Sequence, residues 1–490
     1  MYLDKVIDNL DVEYIKGNKM VEINELRYDS RNIEPGDLFI CVQGFKTDGH
    51  KYIDAALKKE ANAVVIDKDL DNYDENITYV KVPNSRIAMP QLAKNFFENP
   101  LQEIDLIGVT GTNGKTTTTY LIKEILNHQG YKTGLIGTIE VFDGEKSIDA
   151  SRTTPESIDI YRYLAEMRDK GVKYTVMEVS SHALALHRVD TMDFTAGVFT
   201  NLTQDHLDYH ETMEEYAGEK AKLFKKLKTN GKAVINNDDD FSQFFKDSTT
   251  NEIITYGIKK DSDLRAEDLE LSLEGVKFTL NNLRYELNLT GKFNIYNSLA
   301  AVGAAKSLGI SEELIKESLE SVKGIPGRFE TINIGQDFTV IVDYAHTPDS
   351  MINVLEAVKH FEHKDIIVVF GCGGERDKGK RPIMGQIAVE KGDYVVVTTD
   401  NPRSEEPEII IKEILKGIKS SQYDTPYTVE VEREAAIYEA INKARKDDVV
   451  VIIGKGHETY QVFADKTIDF NDKVVAKNAL KEKMSEFKDV

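Results

Sequence analysis

The chain has 490 residues, a formal net charge of −22 and only two cysteines. This length is too great for a single hydrophobic core, so we expect several domains. The acidic balance argues against nucleic-acid binding, which needs a basic face. No secretory leader and no run of about 18 apolar residues is visible, and the cysteines lie far apart in sequence. These features predict a cytoplasmic protein without membrane insertion and without a disulfide framework.

The N-terminal block, residues 1–99, carries short strand-like runs at Asp37–Val42 and Ala63–Ile66 with Gly-rich turns between them. The segment Asn84–Glu98 has a helical pattern and ends just before Pro100. Because the residue before a proline disfavours helix, Pro100 marks a plausible domain boundary. We therefore expect a small N-terminal α/β domain.

The central block, residues 100–327, alternates strand-like and helix-like segments, for example Tyr174–Val179 and Ser298–Leu308. Such alternation predicts a largely parallel sheet covered by helices. The Gly- and Pro-containing turn Gly324–Arg328 closes this block and can act as a hinge.

The most informative stretch of the chain is Gly108–Thr119, which follows the apolar run Ile104–Ile107 and precedes a helical pattern. A strand, a glycine turn, a lysine and hydroxyl groups at a helix start together form a phosphate cradle. Lys115 supplies a positive charge and Thr116 can hold Mg²⁺. The stretch departs from the strict phosphate-loop pattern at Val109, where that pattern has a glycine.

The C-terminal block, residues 328–490, repeats one arrangement three times. Apolar runs at Ile366–Phe370, Tyr394–Val397 and Val449–Ile453 each end in a glycine or polar turn. Runs of this kind predict parallel strands buried on both faces, and ligands bind beyond the carboxyl ends of such strands. The arginines and carboxylates of the three turns therefore predict one rim that binds a small ligand carrying both charges.

Several other segments carry groups that can bind metals. Glu178 ends a predicted strand in the same block as the phosphate loop, which suits Mg²⁺; a carboxylate bonded to backbone is the alternative. His206 and His210 are four residues apart, which predicts one helical face, with structural zinc as a minor alternative. Asn236–Asp240 reads as a turn, and the lysines of Lys220–Lys228 read as a solvated helix face.

Taken together, the ordered motifs resemble those of the Mur ligase superfamily over the whole chain. The motifs that carry the resemblance are Thr110–Thr117, Glu178–His182, Thr200–His210, Gly291–Asn297, Gly327–Glu330 and Asp343–Pro348. Within the superfamily, the chain is most similar to the ligases that add the third amino acid, meso-diaminopimelate or L-lysine, to UDP-N-acetylmuramoyl-L-alanyl-D-glutamate. The resemblance implies a three-domain α/β fold: a small N-terminal α/β domain (1–99), a central phosphate-loop domain with a parallel sheet (100–327) and a C-terminal Rossmann-like domain (328–490).

The resemblance also implies an ATP site, with Mg²⁺ as cofactor. The expected ATP contacts are Thr110, Gly111, Thr112, Asn113, Gly114, Lys115, Thr116, Thr117, Asn297, Arg328 and Asp343. The expected catalytic residues are Lys115, Glu178, His206 and Lys220, and the expected metal ligands are Thr116, Glu178, His206 and Lys220. Lys220 matches the lysine that is carbamoylated in the family, a change that turns a cation into an anion able to bind Mg²⁺. Lys222 is the competing candidate for that modification.

Two further sets of contacts follow from the resemblance. The UDP-sugar peptide is expected at Ser30, Phe45, Lys46, Thr47, Thr153, Thr154, Ser180 and Arg188. Leu186 departs from relatives that carry a Gln there, so one substrate hydrogen bond is expected to be absent or made differently. The amino acid is expected at Arg376, Asp400, Asn401, Pro402, Arg403, Gly454 and Glu458, with Glu458 meeting an ammonium and Arg376 a carboxylate.

The turn Asp400–Arg403 matches the diaminopimelate-adding form of the ligase. Diaminopimelate differs from lysine by a carboxylate on its distal carbon, and a guanidinium binds carboxylates in bidentate fashion. A site built for that group disfavours lysine, because Arg403 would be left buried and unpaired.

The expected reaction is ATP-dependent joining of meso-diaminopimelate to the UDP-muramyl dipeptide through an acyl phosphate, by a monomer whose third domain closes over the intermediate. The alternatives are the L-lysine-adding form and a folylpolyglutamate synthase-like amide ligase. A nucleotide-driven switch or motor is a further alternative from a different class, and it would hydrolyse nucleotide without an acceptor amino acid.

Overall fold

The computed structural model describes residues 1–44, 47–150 and 152–486, and Phe45 and Lys46 of the expected UDP-sugar site lie outside this described part. The chain forms three α/β domains in sequence order, each built on its own principal sheet. The expected three-domain α/β class is confirmed. No helix within the described residues is both long enough and apolar enough to cross a membrane.

The N-terminal domain has a five-stranded sheet in the order β1-β5-β4-β3-β2, in which only β1 runs antiparallel to its neighbour. Asn84 caps the helix predicted near residue 90, because its side chain accepts hydrogen bonds from the N–H groups of Arg86 and Ile87. The elements are β1 (Tyr14–Lys16), β2 (Leu26–Arg27), β3 (Leu38–Ile40), β4 (Ala63–Ile66), β5 (Thr78–Lys81), α1 (Leu3–Val6), α2 (Ile53–Leu57) and α3 (Ser85–Phe96).

The central domain has a nine-stranded sheet and a separate three-stranded antiparallel sheet. The strands are β6 (Asp105–Thr110), β7 (Thr133–Ile136), β8 (Glu140–Phe142), β9 (Ser147–Asp149), β10 (Tyr174–Glu178), β11 (Phe194–Phe199), β12 (Leu227–Asn236), β13 (Glu252–Gly257), β14 (Leu264–Arg265), β15 (Glu267–Leu271), β16 (Val276–Leu280) and β17 (Leu283–Leu287). The helices are α4 (Lys115–His128), α5 (Ser157–Asp169), α6 (Ser181–Ala185), α7 (Met213–Ala221), α8 (Ser242–Lys246), α9 (Lys292–Ser307) and α10 (Glu312–Ser321).

The order of the large central sheet positions the phosphate loop. It runs β14-β13-β12-β11-β6-β10-β7-β8-β9 and is parallel from β14 to β7, with β8 and β9 antiparallel at one edge. The chain leaves β6 towards β7 and later returns to β11 on the other side of β6. The loop after β6 therefore lies where the strand order reverses, the usual ligand position in such sheets.

The C-terminal domain has a six-stranded sheet in the order β18-β19-β23-β20-β21-β22, with only β18 antiparallel. The three apolar runs predicted as strands are β20, β21 and β23, and all of β20 and β23 is buried. The elements are β18 (Glu330–Ile332), β19 (Thr339–Asp343), β20 (Ile366–Phe370), β21 (Tyr394–Val397), β22 (Tyr427–Val429), β23 (Val449–Ile453), β24 (Tyr460–Val462), β25 (Thr467–Asp469), α11 (Pro348–Val358), α12 (Lys380–Lys391), α13 (Pro407–Ser420), α14 (Arg433–Lys443) and α15 (Asp472–Glu486).

Two local expectations are wrong. His206 and His210 do not share a helical face, because the segment between β11 and α7 is an irregular turn in which His206 has a left-handed φ of 56°. Lys220 does not lie on a solvated helix face, because α7 packs its last turn over the phosphate loop and only 1% of this residue is exposed. Both errors arise from tertiary packing that a local pattern does not contain.

Candidate active site

A cavity of about 660 Å³ lies between the central and C-terminal domains. The phosphate loop and the ends of β10 and β11 line one side, and the turns after β19, β20, β21 and β23 line the other. The carboxyl ends of two parallel sheets therefore face the same space. This arrangement brings most of the expected ATP, metal and amino-acid residues into one site.

Two glycines allow the phosphate loop to take its shape. Gly111 and Gly114 have φ values of 146° and 84°, which favour glycine. A Cβ on Gly111 would lie 1.9 Å from Oγ1 of Thr200, and one on Gly114 would lie 2.3 Å from Oδ1 of Asn297. The backbone therefore approaches these neighbours too closely for any larger residue.

Lys115 begins α4 and points back over the loop. Its Nζ donates to the carbonyl oxygens of Gly111 at 3.0 Å and Thr112 at 2.8 Å. Burial lowers the pKa of Lys115. A half-buried ammonium that donates to two carbonyl groups at a helix N-terminus is well suited to an anionic phosphate group.

The segment after β11 supports the loop from behind. The N–H groups of Thr112 and Asn113 donate to the carbonyl and side-chain oxygens of Asn201, at 2.8 and 2.9 Å. The hydroxyl of Thr200 donates to the carbonyl oxygen of Asn113 at 2.6 Å. Thr200 and Asn201 thus fix the loop that the sequence assigned to phosphate binding.

The oxygen donors beside the phosphate loop fit Mg²⁺. Glu178 is fully buried, and its carboxylate accepts from the N–H and hydroxyl of Thr138 at 2.8 and 2.9 Å. The Thr116 hydroxyl lines the same cavity. Mg²⁺ prefers one or two carboxylates together with substrate phosphates, so this small oxygen set matches its chemistry.

Lys220 fits the metal site only in a modified form. Its Nζ donates to the carbonyl oxygen of Gly111 at 2.8 Å and lies 4.4 Å from the centroid of the Tyr216 ring. Burial, followed by the nearby Lys115 charge, holds its pKa well below the usual value. An ammonium repels a metal cation, whereas a carbamate formed on the neutral amine would attract one. Lys222 is partly exposed and paired with Glu219 at 2.7 Å, so burial distinguishes the two lysines.

His206 lies beside this cluster. Burial lowers its pKa to about 3, so the ring is neutral near pH 7, the form that binds metals. Its ring lies 4.8 Å from that of His182, centroid to centroid. Among residues 1–44, 47–150 and 152–486, no group of three or more His, Cys, Asp and Glu is arranged to hold a metal.

The remaining expected ATP residues lie at the seam between the two domains. Arg328 donates to the Thr116 hydroxyl at 2.9 Å. Asp343 accepts from the N–H groups of Phe329 and Ala345 at 2.6 and 2.7 Å, and burial raises its pKa. Asn297 lines the cavity from α9. These contacts place the start of the C-terminal domain against the phosphate loop.

The C-terminal side of the cavity contains the guanidinium group of Arg403. Arg403 has a left-handed φ of 55°, and its Nη1 donates to the carbonyl oxygens of Gly374 at 2.7 Å and Asn401 at 3.4 Å. No carboxylate forms an ion pair with Arg403 among the described residues. Burial, followed by the charge of Arg376, lowers its pKa. This half-buried, carbonyl-bonded guanidinium is suited to receiving a carboxylate.

The neighbouring carboxylate is already partnered. Glu458 accepts from Asn401 Nδ2 at 2.8 Å and from Nζ of the fully buried Lys455 at 2.7 Å. Burial raises the pKa of Glu458. Asp400, Arg376 and Gly454 line the same rim, while Pro402 is absent from the described lining.

The expected UDP-sugar residues are divided between two places. Thr153 and Ser180 line the cavity, and the Thr154 hydroxyl donates to the carbonyl oxygen of Glu178 at 2.7 Å. Arg188 donates to the Thr154 carbonyl at 2.8 Å and to a carboxylate oxygen of Glu156 at 2.7 Å. Ser30 and Thr47 lie in the N-terminal domain and are not among the described residues that line the cavity.

Several lining residues were missed from the sequence. Asp238 and Tyr296 face the cavity joined by a 2.8 Å hydrogen bond, and Asn236 lies beside them. The available signal was the position of Asn236–Asp240 directly after a strand, at the same sheet edge as the phosphate loop. Lys380, on the opposite side, gave no distinguishing signal.

The comparisons with known proteins agree with this geometry. Family models match three successive segments: the Mur ligase family catalytic domain at 22–97, the Mur ligase middle domain at 109–305 and the Mur ligase glutamate ligase domain at 327–456. Two relatives are named UDP-N-acetylmuramoyl-L-alanyl-D-glutamate--2,6-diaminopimelate ligase. The one from Caldanaerobacter subterraneus subsp. tengcongensis is 48% identical, covering 96% of this chain and 97% of its own. The one from Clostridium tetani is 45% identical, covering 98% of this chain and all of its own.

Comparison with solved structures agrees with these matches. A structure of a ligase with that name is 31% identical and covers 99% of both chains with a TM-score of 0.67. A Mycobacterium tuberculosis folylpolyglutamate synthase shares the fold, with a TM-score of 0.61 at 17% identity over 76% of this chain and 92% of its own. The fold and the cavity thus define the class of protein: it is a phosphate-binding α/β protein whose C-terminal domain completes the site. The chain belongs to the Mur ligase family, as the sequence motifs indicated.

Proposed function

We propose that the chain catalyses ATP-dependent ligation of meso-diaminopimelate to UDP-N-acetylmuramoyl-L-alanyl-D-glutamate in peptidoglycan precursor synthesis. The observation that carries the proposal is one cavity with two chemically different sides. Lys115 and Glu178 on one side suit phosphates and Mg²⁺, and Arg403 and Glu458 on the other suit an amino acid with charges of both signs. Relatives at 45–48% identity over nearly the whole chain carry the name of this activity.

In this proposal the phosphate loop binds ATP and the metal site lies beside it. Lys115 and the loop N–H groups would contact the phosphates, and Thr116, Glu178, His206 and carbamoylated Lys220 would hold Mg²⁺. The metal, when bound, offsets negative charge on the transferring phosphoryl group. The side-chain carboxylate of the D-glutamyl residue attacks the γ-phosphorus, giving an acyl phosphate and ADP.

The second half-reaction takes place at the C-terminal rim. The amine of diaminopimelate attacks the acyl carbon, forms the amide and releases phosphate. Arg403 receives the distal carboxylate, which lysine lacks, while Glu458 contacts the ammonium group and Arg376 the other carboxylate. Because water also attacks an acyl phosphate, the domains must exclude it from the cavity at this stage.

Each of the three domains binds a different part of the substrates in this proposal. Residues 1–99 bind the UDP group through Ser30 and Thr47, residues 100–327 carry ATP and the muramyl peptide, and residues 328–490 bind diaminopimelate. The catalytic unit is one polypeptide, since each expected ligand has its residues within one chain. Both cysteines are buried and unpaired, which fits a reducing compartment, and we assign the reaction to the cytoplasm.

Product analysis tests the proposal. The protein is incubated with ATP, Mg²⁺, the UDP-muramyl dipeptide and meso-diaminopimelate, and the nucleotide product is identified by mass spectrometry. The expected product is the UDP-muramyl tripeptide, formed together with ADP. Formation of a glutamylated folate, or of no amide with any amino acid, would contradict the proposal.

A further inference from the structure

Several polar contacts between described residues join the central and C-terminal domains at the cavity. Some use residues expected to contact ATP: Arg328 donates to the Thr116 hydroxyl at 2.9 Å, and Asn113 donates to Asp349 at 2.8 Å and accepts from the Thr347 hydroxyl at 3.4 Å. A separate contact is the ion pair of Lys380 Nζ with Asp205 Oδ1 at 3.6 Å. The proposed function gives no role to either member of this ion pair.

The pair between Lys380 and Asp205 is shielded from water. Only 5% of the Lys380 side chain and 6% of the Asp205 side chain are exposed. Both residues nevertheless line the cavity. Such a pair adds little net stability, because desolvation offsets much of its attraction.

Lys380 is held in place by its neighbour in sequence. It is the first residue of α12, and the next residue, Arg381, is fully buried. Arg381 donates to Glu405 at 2.9 Å, to Glu413 at 2.7 Å and to the carbonyl oxygen of Gly373 at 3.1 Å. These bonds tie the start of α12 to the turn after β20, so the position of Lys380 follows that of the amino-acid rim.

Asp205 is tied just as closely to the metal side. Its Oδ1 accepts from the N–H of His206 at 2.9 Å, and its Oδ2 lies 3.4 Å from His206 Nε2. The two loops also approach each other closely, since a Cβ on Gly379 would lie 3.9 Å from Nε2 of Gln204. One ion pair therefore links the turn carrying His206 to the turn carrying the amino-acid site.

We propose that Lys380 is a positioning residue whose ion pair with Asp205 closes this side of the cavity while the acyl phosphate exists. The inference rests on the proposed ligase function. When the pair is intact, the amine attacks the acyl carbon, and each phosphate released corresponds to one amide formed. When the pair is lost, water reaches the same carbon, releases phosphate and regenerates the original carboxylate, so ATP is consumed without product.

The test measures phosphate release and amide formation together in the full-length protein. The wild type should give a ratio near one phosphate per amide. Lys380→Met should raise this ratio to about three or more, because closure is impaired rather than phosphoryl transfer. Lys380→Arg should return it towards the wild-type value, since it restores the charge.

Lys378 provides the matched control. It lies two residues earlier in the same loop, is paired with Glu405 at 3.2 Å and has 60% of its side chain exposed. Lys378→Met should leave the ratio at the wild-type value. A general disturbance of the loop would raise the ratio in both variants and would overturn the assignment to Lys380.

A double-mutant cycle tests whether the pair itself acts. Asp205→Asn should raise the ratio of phosphate released to amide formed. The double variant, Asp205→Asn with Lys380→Met, should give a ratio no higher than that of the more severe single variant. Additive effects, or an unchanged ratio in a folded Lys380→Met protein, would overturn the inference. Absence of amide formation by the wild type would instead overturn the proposed function, so the two failures are distinguishable.

Discussion

The two sides of the cavity are built in different ways. On the phosphate side, the glycines and the lysine of the phosphate loop lie in one continuous stretch, Gly111–Thr117, which Thr200 and Asn201 support from behind. The amino-acid side is assembled from separate turns after β20, β21 and β23, about thirty to fifty residues apart in the chain. Chemistry shared across phosphate-binding proteins is thus encoded locally, whereas specificity depends on the tertiary arrangement of the C-terminal sheet.

The largest expected effect is on the phosphate side. Lys115→Ala should lower the rate of phosphate release by about 10⁴-fold, because the positive charge beside the transferring group is lost. Steady-state phosphate release with all substrates present measures this effect. Lys132→Ala, which removes an exposed lysine paired with Glu145, serves as the control and should retain the wild-type rate. Normal turnover by Lys115→Ala would contradict the assignment of Gly111–Thr117 as the phosphate-binding loop.

Lys220→Ala should reduce turnover by about a thousandfold, because the carbamate that would hold Mg²⁺ cannot form. Lys222→Ala is a close control, since it lies two residues away and is partly exposed. Turnover and the intact mass of both proteins would be compared with the wild type. Equal losses in the two variants, or a loss confined to Lys222→Ala, would contradict the assignment to Lys220.

The amino-acid side should depend on a buried ion pair for its stability. Arg433 and Asp472 are paired at 2.8 Å with no exposure, and Arg433 also donates to the carbonyl oxygens of Thr399 and Ile453, next to the rim turns. Arg433→Met should lower the free energy of unfolding by about 3 kcal/mol, because it leaves a buried carboxylate unpaired. Denaturant titration measures the change.

Lys364→Met provides the comparison for that measurement. It breaks an exposed pair with Asp447 in the same domain and should change the free energy of unfolding by less than about 1 kcal/mol. Similar losses in the two variants would show that burial of the Arg433 pair is not the source of its effect.

The smallest expected effect concerns selectivity. Arg403→Ala should raise KM for diaminopimelate by about a hundredfold, because a bidentate contact with the distal carboxylate is lost. KM for ATP should stay near the wild-type value. Arg403→Lys tests the bidentate geometry, since it keeps the positive charge but lacks the two parallel N–H donors of the planar guanidinium. An unchanged preference for diaminopimelate over lysine in Arg403→Ala would refute this role.

Much of the fold was accessible from the sequence, because its signals are local. The buried strands β20, β21 and β23 follow from continuous apolar runs, and α3 follows from its helical pattern before Pro100. The phosphate loop was recognised from its glycines and Lys115. Each of these features depends on residues within about fifteen positions of one another.

The missed features depend on contacts between distant segments. The burial of Lys220 follows from the packing of α7 on the phosphate loop, and only the family resemblance singled it out. The irregular turn at His206 defeats the helical spacing argument. The pair of Lys380 with Asp205 joins residues 175 positions apart in two domains, so no sequence window contains it.

The first experiment is phosphate release from ATP by the wild-type protein with the UDP-muramyl dipeptide, comparing meso-diaminopimelate with L-lysine. We expect strong release with diaminopimelate and little with lysine, because only diaminopimelate presents a distal carboxylate to Arg403. Equal or stronger release with lysine would contradict the specificity assigned to the C-terminal rim. Release with neither amino acid would contradict the ligase reaction itself.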